Sequence, residues 1–342
     1  PLHILVATSG DTGSAVGSAF QGLPGIDVTI LYPAGRISPL QEKQLSTFTG
    51  NVHALAVSGS FDDCQKLVKT AFTDEELRKK MRLSSANSIN IARLLPQSFY
   101  YIYASLIVTE RSLHDNRIEN PEFIVSVPSG NFGNLTSGLM ARTMGAPIKG
   151  FIAATNANRT IPDWLYSGAY APRASEATLS NAMDVGAPSN FERMNAMLTI
   201  EEARDLIAGY WLDDAGTLAA VEECYSRTGY IIDPHGAVAW KAWTDIREGA
   251  MCSLKDGRRG NPQNPGLTPI LPGWAGDLCD NRCVGLVLET AHPAKFGETV
   301  YKAIGREPSM PDRLEKVLNL PDRSTPIAAD YQVFRQWLFD YL

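Results

Sequence analysis

Two glycine-rich turns contain the residues whose types and spacing could do chemistry. The longer turn follows an apolar run at 124–127 and reads Ser129-Gly130-Asn131-Phe132-Gly133-Asn134. Glycine lets a backbone close on a ligand where a Cβ would obstruct it. A strand, such a turn and a helix together point backbone amides and a helix N-terminus at one anion. The turn therefore predicts a phosphate-bearing ligand, with an ordinary strand-to-helix turn as the alternative.

The second turn follows a predicted strand at 2–7 and reads Ser9-Gly10-Asp11-Thr12-Gly13. In an open α/β sheet, ligands bind outside the carboxyl ends of the strands. We therefore predict that the two turns can face one crevice between two domains. Neither turn has the G-x-G-x-x-G spacing of a dinucleotide site, and no P-loop lysine pattern is present.

Alternating strand and helix patterns must position these turns. The first domain is predicted to alternate strands and helices. The strands are at 2–7, 28–32 and 52–57, and the helices that follow them are at 14–20, 39–48 and 60–72. Two more helices are predicted at 74–81 and 88–103. Ser60 and Asp63 have the spacing of an acidic capping box at the start of one helix. This order predicts a parallel sheet covered by helices.

A polar, charged segment at 114–119 is the predicted boundary between domains 1–116 and 117–342. The long polar stretch 156–193 has little periodicity, which in a compact domain often indicates function. Residues 256–282 are rich in Gly, Pro, Asn and Asp and are predicted to form an insertion loop. The other elements predicted here are strands at 124–127, 148–153, 230–232 and 284–288 and helices at 135–144, 200–210, 217–228, 237–247 and 331–341.

Composition restricts the class of protein. The 342 residues are 44% hydrophobic and 20% charged, as in globular proteins, and the formal charge is −6. The absence of a basic run argues against nucleic acid and anionic membrane surfaces as partners, and no apolar run approaches the ~20 residues of a membrane span. Five scattered cysteines indicate a reducing cytoplasm rather than a disulfide framework. Cys279 and Cys283 lack a second pair, so we predict no metal site.

Six blocks of sequence resemble the threonine synthase family, pyridoxal-phosphate enzymes of the tryptophan synthase β-like fold (fold type II). They occur in the family's order at 7–15, 31–33 with 37–43, 85–90, 128–134, 178–185 and 290–296. The resemblance implies an α/β fold of two open, mostly parallel sheets flanked by helices, with the cofactor, pyridoxal 5′-phosphate, in a cleft between the domains.

The resemblance also implies roles for individual residues. Backbone amides would hold the cofactor phosphate at Gly130, Asn131, Phe132, Gly133 and Asn134. Asp11 would lie beside the ring hydroxyl of the cofactor, and Thr290 would offer its hydroxyl to the pyridine nitrogen. The substrate, O-phospho-L-homoserine, would be held at its carboxylate by Ser9, Gly10 and Thr12. Its phosphate would be held by Asn156, Asn190, Arg193 and Lys295.

The implied activity is that of a lyase that converts O-phospho-L-homoserine and water to L-threonine and phosphate, as a monomer or homodimer. In the family, the Schiff-base lysine lies in a Phe-Lys-Asp motif upstream of the Ser-Gly-Asp-Thr-Gly turn. Here eight residues precede Ser9, none of them Lys, and the sequence begins inside a predicted strand. We therefore expect a fragment that is inactive without its upstream lysine.

Two other functions stay open on the residues alone. One is another fold type II enzyme, such as a serine or threonine dehydratase, and the other is a non-catalytic anion-binding relative. Among the remaining ionisable residues, we expect His292 to have a structural or site-lining role, with a general base as the alternative. His235 is expected to be a turn residue at a helix start, with a place in the cleft lining as the alternative. Asp184 and Glu289 are expected to be structural carboxylates, with general acids as the alternative.

Overall fold

The computed structural model describes residues 1–88, 90–115, 122–249, 271–279 and 283–341, without the side chains of 112–115 and 278–279. Its strands are β1 (Leu2–Ala7), β2 (Ile26–Pro33), β3 (Val52–Ser58), β4 (Arg82–Ser85), β5 (Phe123–Pro128), β6 (Ile148–Thr155), β7 (Ile207–Trp211), β8 (Val284–Val287) and β9 (Thr325–Ala328). No helix in these ranges is long and apolar enough to span a membrane.

The α-helices are α1 (Asp11–Phe20), α2 (Pro39–Ser46), α3 (Phe61–Thr73), α4 (Glu75–Lys80), α5 (Leu95–Asp115), α6 (Gly133–Thr143), α7 (Thr160–Ser167), α8 (Phe191–Met197), α9 (Ile200–Leu206), α10 (Asp214–Thr228), α11 (Pro234–Arg247), α12 (Ala275–Cys279), α13 (Gly297–Ile304), α14 (Asp312–Leu318) and α15 (Tyr331–Tyr341). Short 3-10 helices cover Ile91–Arg93, Asn181–Met183 and Pro293–Phe296.

The chain forms two compact units, which we call unit 1 (Pro1–Asn90 with Ser309–Leu342) and unit 2 (Ile91–Pro308). This division differs from the predicted domains 1–116 and 117–342. The long helix α5 belongs with unit 2 because it packs against α6. The C-terminal segment belongs to unit 1 because β9 pairs with β3.

Unit 1 contains a parallel sheet with strand order β4-β1-β2-β3-β9. Leu5 and Leu31 pack on one face with side chains from α3, α4 and α15. Val6 and Ile30 pack on the other face with side chains from α1 and α2. Both faces are covered, which is why the central strands are mostly apolar rather than alternating. The predicted helix-covered parallel sheet is confirmed.

One prediction at the end of this part of the chain is wrong, and one strand was missed. The helix predicted at 88–103 begins at Leu95, and β4, which was not predicted, lies before it. This strand reads Arg-Leu-Ser-Ser, with Arg82 exposed and only Ser85 buried, so it lacks the apolar run of a buried strand. It forms because its backbone pairs with β1 at the edge of the sheet.

Unit 2 contains a second parallel sheet, with strand order β7-β6-β5-β8. Ile124 and Ile152 face a core completed by α10 and α11. Val125 and Phe151 face the opposite core, completed by α5, α6, α7 and α9. This arrangement positions the turn after β5 at the carboxyl edge of the sheet.

Three predictions in unit 2 need correction or lie outside the description. The predicted helix 200–210 ends at Leu206, because the next residues form β7 and pair with β6. The predicted strand at 230–232 is irregular chain that leads into α11. Most of the predicted insertion loop 256–282 lies outside the described residues, and α12 lies in the part that is described.

Candidate active site

The turn between β5 and α6 presents an open helix N-terminus. Phe132 precedes α6 in the left-handed conformation, with φ 59° and ψ 15°, and no side chain in the described part caps this helix. The amide of Thr136 donates to the Phe132 carbonyl at 3.0 Å. The helix amides at 133–135 precede this intrahelical bond and lie at the start of the helix. Amides at such a position bind anions through their N–H groups and the helix dipole.

Gly130 lies against the chain at 182–183. A Cβ built at Gly130 would lie 2.7 Å from the Met183 Cα and 2.8 Å from the Ala182 carbonyl oxygen. These neighbours are backbone atoms, which cannot rotate away as a flexible side chain can. The segment around Met183 therefore forms a support beneath the turn, and only glycine fits between them.

A set of polar side chains joins the turn to α8. The Asn131 Oδ1 accepts hydrogen bonds from the Ser189 amide at 2.6 Å and from its hydroxyl at 3.0 Å. The Asn190 side-chain amide donates to the Asn131 carbonyl at 2.8 Å, and Arg193 donates to the Asn190 Oδ1 at 2.9 Å. The structure thus brings together Asn131, Asn190 and Arg193, three residues singled out in the sequence. It also shows that the fully buried Asn190 positions the other two.

Asn134 is held from the opposite side by α5. The Tyr100 and Tyr101 hydroxyls both lie 2.6 Å from the Asn134 Oδ1. Tyr101 is buried in the core, whereas Tyr100 is partly exposed. These two hydroxyls orient the first turn of α6. The sequence showed an aromatic cluster here but gave no sign of its hydrogen bonds to Asn134.

Asn156 lies at the centre of a buried polar network. It is 1% exposed. Its amide nitrogen lies 2.8 Å from the Thr178 hydroxyl and 2.9 Å from the Asp184 Oδ1, while its Oδ1 accepts from the Asn158 amide at 2.9 Å. With donor and acceptor both engaged, Asn156 has the contacts of a positioning residue. The contact of Asn156 with the substrate stays a prediction.

Asp184 completes this network, and the pKa of its carboxyl is raised. Burial raises the pKa of the Asp184 carboxyl to about 7, although hydrogen bonds from Thr178 and Asn156 lower it in part. The Asp184 Oδ2 accepts from the Thr178 amide at 3.0 Å and fixes the segment that leads to Ala182. The expected structural role of Asp184 agrees with these contacts.

His235 supports the same segment from the start of α11. Its Nδ1 lies 2.5 Å from the Asp233 Oδ1, and its Nε2 accepts from the Ala182 amide at 3.2 Å. Because Nε2 accepts, Nδ1 carries the proton that is donated to Asp233. His235 is thus more than the predicted turn residue, since it connects α11 to the support beneath Gly130.

Asp233 is the N-cap of α11 and accepts from the amides of His235 and Gly236. Its own amide donates to the Glu289 carboxylate at 3.2 Å. Burial opposes ionisation of Asp233, but the His235 ring and these hydrogen bonds lower its pKa overall. The carboxylate is therefore stabilised in its ionised form as the partner of His235.

The segment that follows β8 contains Thr290 and Lys295. The His292 Nδ1 accepts from the Ala294 amide at 3.2 Å and caps the short helix in which Lys295 lies. This agrees with the structural role predicted for His292. Phe296 contacts the His235 ring edge-on, with the ring centroids 4.8 Å apart. Thr290 is exposed and Lys295 is partly exposed.

In unit 1, the turn between β1 and α1 is held by Thr8, whose hydroxyl accepts from the amides of Gly10 at 3.0 Å and Gly13 at 2.9 Å. Gly10 has φ 132°, and no side chain in the described part caps α1. The helix begins at Asp11 rather than at the predicted residue 14, so Asp11 and Thr12 lie in its first turn, directly after Ser9 and Gly10. The predicted crevice shared with the turn at 129–134 stays a prediction.

The described part of the chain contains no cluster of three His, Cys, Asp or Glu side chains that could hold a metal ion. The Cys279 side chain, one half of the pair considered from the sequence, lies outside the description.

The chain is a pyridoxal-phosphate-dependent enzyme by class. The sequence profile of the family described as pyridoxal-phosphate dependent enzymes matches residues 2–254. The described residues fit this cofactor, because an uncapped helix N-terminus follows a glycine at which a Cβ would meet backbone. Both features suit a phosphate group.

Within that class, the chain belongs to the threonine synthase family. The profile of the threonine synthase C-terminal domain matches residues 277–338. The chain is 42% identical to threonine synthase of Escherichia coli strain K12, over 100% of this chain and 71% of that protein.

Solved structures of the family have the same fold. A crystal structure of threonine synthase from Escherichia coli matches with a TM-score of 0.83 at 42% identity, over 100% of this chain and 71% of that one. A structure of pyridoxal-phosphate-bound threonine synthase from Brucella melitensis matches with a TM-score of 0.76 at 32% identity, over 98% and 70% of the two chains. The expected fold type is thereby confirmed.

Proposed function

We propose that the protein converts O-phospho-L-homoserine and water to L-threonine and phosphate. The proposal rests on the open N-terminus of α6 in a chain of the threonine synthase family. This helix directly follows Phe132, which is in the left-handed conformation. A helix N-terminus of this kind binds a phosphate group of the cofactor without a charged side chain.

We propose that the amides of residues 130–134 bind the cofactor phosphate. Thr290 would donate its hydroxyl to the pyridine nitrogen, and Asp11 would lie beside the ring hydroxyl. When bound, pyridoxal phosphate supplies an electron sink for negative charge that develops on the substrate. A neutral hydroxyl at the ring nitrogen leaves that nitrogen largely unprotonated, unlike an Asp partner.

The substrate is proposed to be held at both ends. Ser9, Gly10 and Thr12 would bind its carboxylate. Arg193 and Lys295 would bind its phosphate, since a guanidinium and an ammonium group form charge-assisted hydrogen bonds with phosphate oxygens. The bond from Arg193 to Asn190 holds this guanidinium in place before the substrate arrives.

A cation at the substrate phosphate would stabilise charge as the phosphate leaves. Asn190 and Asn156 would act through their neighbours, since both side chains are buried and hydrogen-bonded within the protein. The lysine that the resemblance places before Ser9 stays a prediction.

The test uses the protein expressed from its complete reading frame and supplied with pyridoxal phosphate. We expect equal amounts of L-threonine and phosphate from O-phospho-L-homoserine, with little 2-oxo acid from L-serine or L-threonine. Preferential release of 2-oxo acid would instead indicate a dehydratase. Binding of the cofactor without turnover of any of these substrates would indicate an anion-binding relative.

Arg193→Gln tests the proposed phosphate contact. Loss of one charge-assisted hydrogen bond costs about 1.5–3 kcal/mol, so kcat/KM for O-phospho-L-homoserine should fall by about 10- to 150-fold. Affinity for pyridoxal phosphate should stay within twofold of the wild type. Arg306→Gln, an exposed arginine that contacts the Tyr225 ring, is the matched control and should leave both values unchanged.

A further inference from the structure

Unit 1 contains a cavity that the proposed reaction does not use. Its volume is about 570 Å³, and it lies between α1, the C-terminal end of α2, and α14 with the chain that follows it. Pockets for small organic molecules have volumes of roughly 300–1,000 Å³. The space is therefore large enough for a metabolite-sized ligand.

The cavity is positively charged, although the whole chain has a formal charge of −6. Arg313 and Arg323 line it, and no Asp or Glu is among the lining residues. In the described ranges neither arginine forms an ion pair. The Arg323 amide donates to the Ser46 carbonyl at 2.7 Å, which fixes this residue beside α2. Two guanidinium groups without carboxylate partners favour an anion.

The rest of the lining supplies polar side chains and an apolar wall. Ser14, Ser18 and Gln44 are among the polar residues. Phe48, Leu314 and Val317 form an apolar wall of the same cavity.

We propose that this cavity binds a small organic anion, with its carboxylate or phosphate at Arg313 and Arg323. The apolar part of the ligand would lie against Phe48, Leu314 and Val317. This site is distinct from the turns at 9–13 and 129–134, since the lining contains no residue of either.

The cavity is connected to the Ser9–Gly13 turn through α1. Ser14 and Ser18 line the cavity from one face of this helix. The Ser14 hydroxyl donates to the Asp11 carbonyl at 3.0 Å, in the first turn of α1. An occupant would therefore touch the helix whose N-terminus is proposed to bind the substrate carboxylate. This coupling, unlike the binding itself, rests on the proposed function.

Binding is tested by calorimetry on the complete protein loaded with pyridoxal phosphate. The probes are 3-phenyllactate and phenyl phosphate, with neutral benzyl alcohol as the uncharged comparison. We expect saturable binding of at least one anionic probe and none of benzyl alcohol. Arg313→Gln and Arg323→Gln should each weaken binding about tenfold or more.

Two further variants locate the binding. Lys316→Gln removes the same charge from α14 at a residue outside the lining, and it should bind the probes like the wild type. Val317→Trp keeps both arginines but fills the space, and it should abolish binding without altering cofactor affinity. Absence of saturable binding, or equal affinity in the Arg313→Gln and Lys316→Gln variants, would overturn the proposed site.

The coupling is tested separately on the KM for O-phospho-L-homoserine. We expect the bound probe to change this KM in the wild type and in Lys316→Gln but not in Val317→Trp. An unchanged KM with the cavity occupied would refute the coupling. Turnover of the substrate without any probe tests the proposed function alone, so the two failures can be told apart.

Discussion

Replacing Gly130 by alanine should disturb the proposed phosphate site through a backbone clash. The added Cβ would lie 2.7 Å from the Met183 Cα and 2.8 Å from the Ala182 carbonyl oxygen. Non-bonded carbon atoms prefer separations of about 3.5–4.0 Å, so one backbone segment must move by about 1 Å. The support is held by His235 and Asp184, so we expect the turn itself to move.

The expected size of the effect follows from overpacking, which costs about 1–3 kcal/mol. For a domain of about 150–250 residues, each kcal/mol lowers Tm by about 2–4 °C, which gives a fall of about 2–12 °C for unit 2. If the turn takes up the strain, affinity for pyridoxal phosphate should fall by about 5- to 150-fold, since 1.4 kcal/mol is about tenfold in affinity.

Thermal unfolding and absorbance titration with pyridoxal phosphate measure the two quantities. Gly276→Ala is the matched control, because this exposed glycine lies in α12 and a Cβ there would meet nothing within 4 Å. The control should be neutral or slightly stabilising, since alanine is the better helix former. If Gly130→Ala behaves like Gly276→Ala in both assays, the close approach beneath the turn is not as described.

Three further predictions concern residues that stabilise the interior of one unit, Asp184 and His235 in unit 2 and Ser60 in unit 1. Burial raises the pKa of Asp184 to about 7, so the folded chain binds a proton that the unfolded chain has already released. Stability should therefore fall as pH rises from about 4 to 7, by up to about 1.4 kcal/mol per pH unit. Urea unfolding should show this slope in the wild type and lose it in Asp184→Asn. His235→Phe keeps an aromatic ring but leaves the Ala182 amide without its acceptor, at about 1–3 kcal/mol, and removes the ring donor to Asp233. By urea unfolding, it should destabilise the protein far more than His53→Phe, whose ring contacts are with Trp337 and Tyr341, and equal effects would contradict the assigned bonds. Ser60→Ala removes a capping box and should destabilise unit 1 by about 0.5–2 kcal/mol, measured by the same method, whereas no change would mean that the cap contributes nothing.

Local interactions explain why much of unit 1 could be predicted. The strands at residues 2–7 and 52–57 were predicted nearly to their ends, because each is an apolar run, interrupted only by His3 or His53, that must be buried on both faces. The capping box of Ser60 and Asp63 was predicted because its two partners are three residues apart.

Resemblance to the family added what local patterns could not. The turn at 129–134 was predicted to bind a phosphate-bearing ligand from its glycines and its place between a strand and a helix, with an ordinary turn as the alternative. The six matching blocks implied a specific ligand. The structure then added the uncapped helix and the left-handed Phe132, two features that suit a phosphate group.

Elements that depend on distant partners were missed or misassigned. β4 is polar and forms only because its backbone pairs with β1. β7 ends a helical sequence pattern because its backbone pairs with β6. The same reason applies to Asn156 and His235. Their neighbours in sequence did not reveal the bonds to Asp184 and to Ala182, which lie 28 and 53 residues away along the chain. Sequence patterns thus determined the elements and the turns, whereas contacts between distant segments decided what supports them.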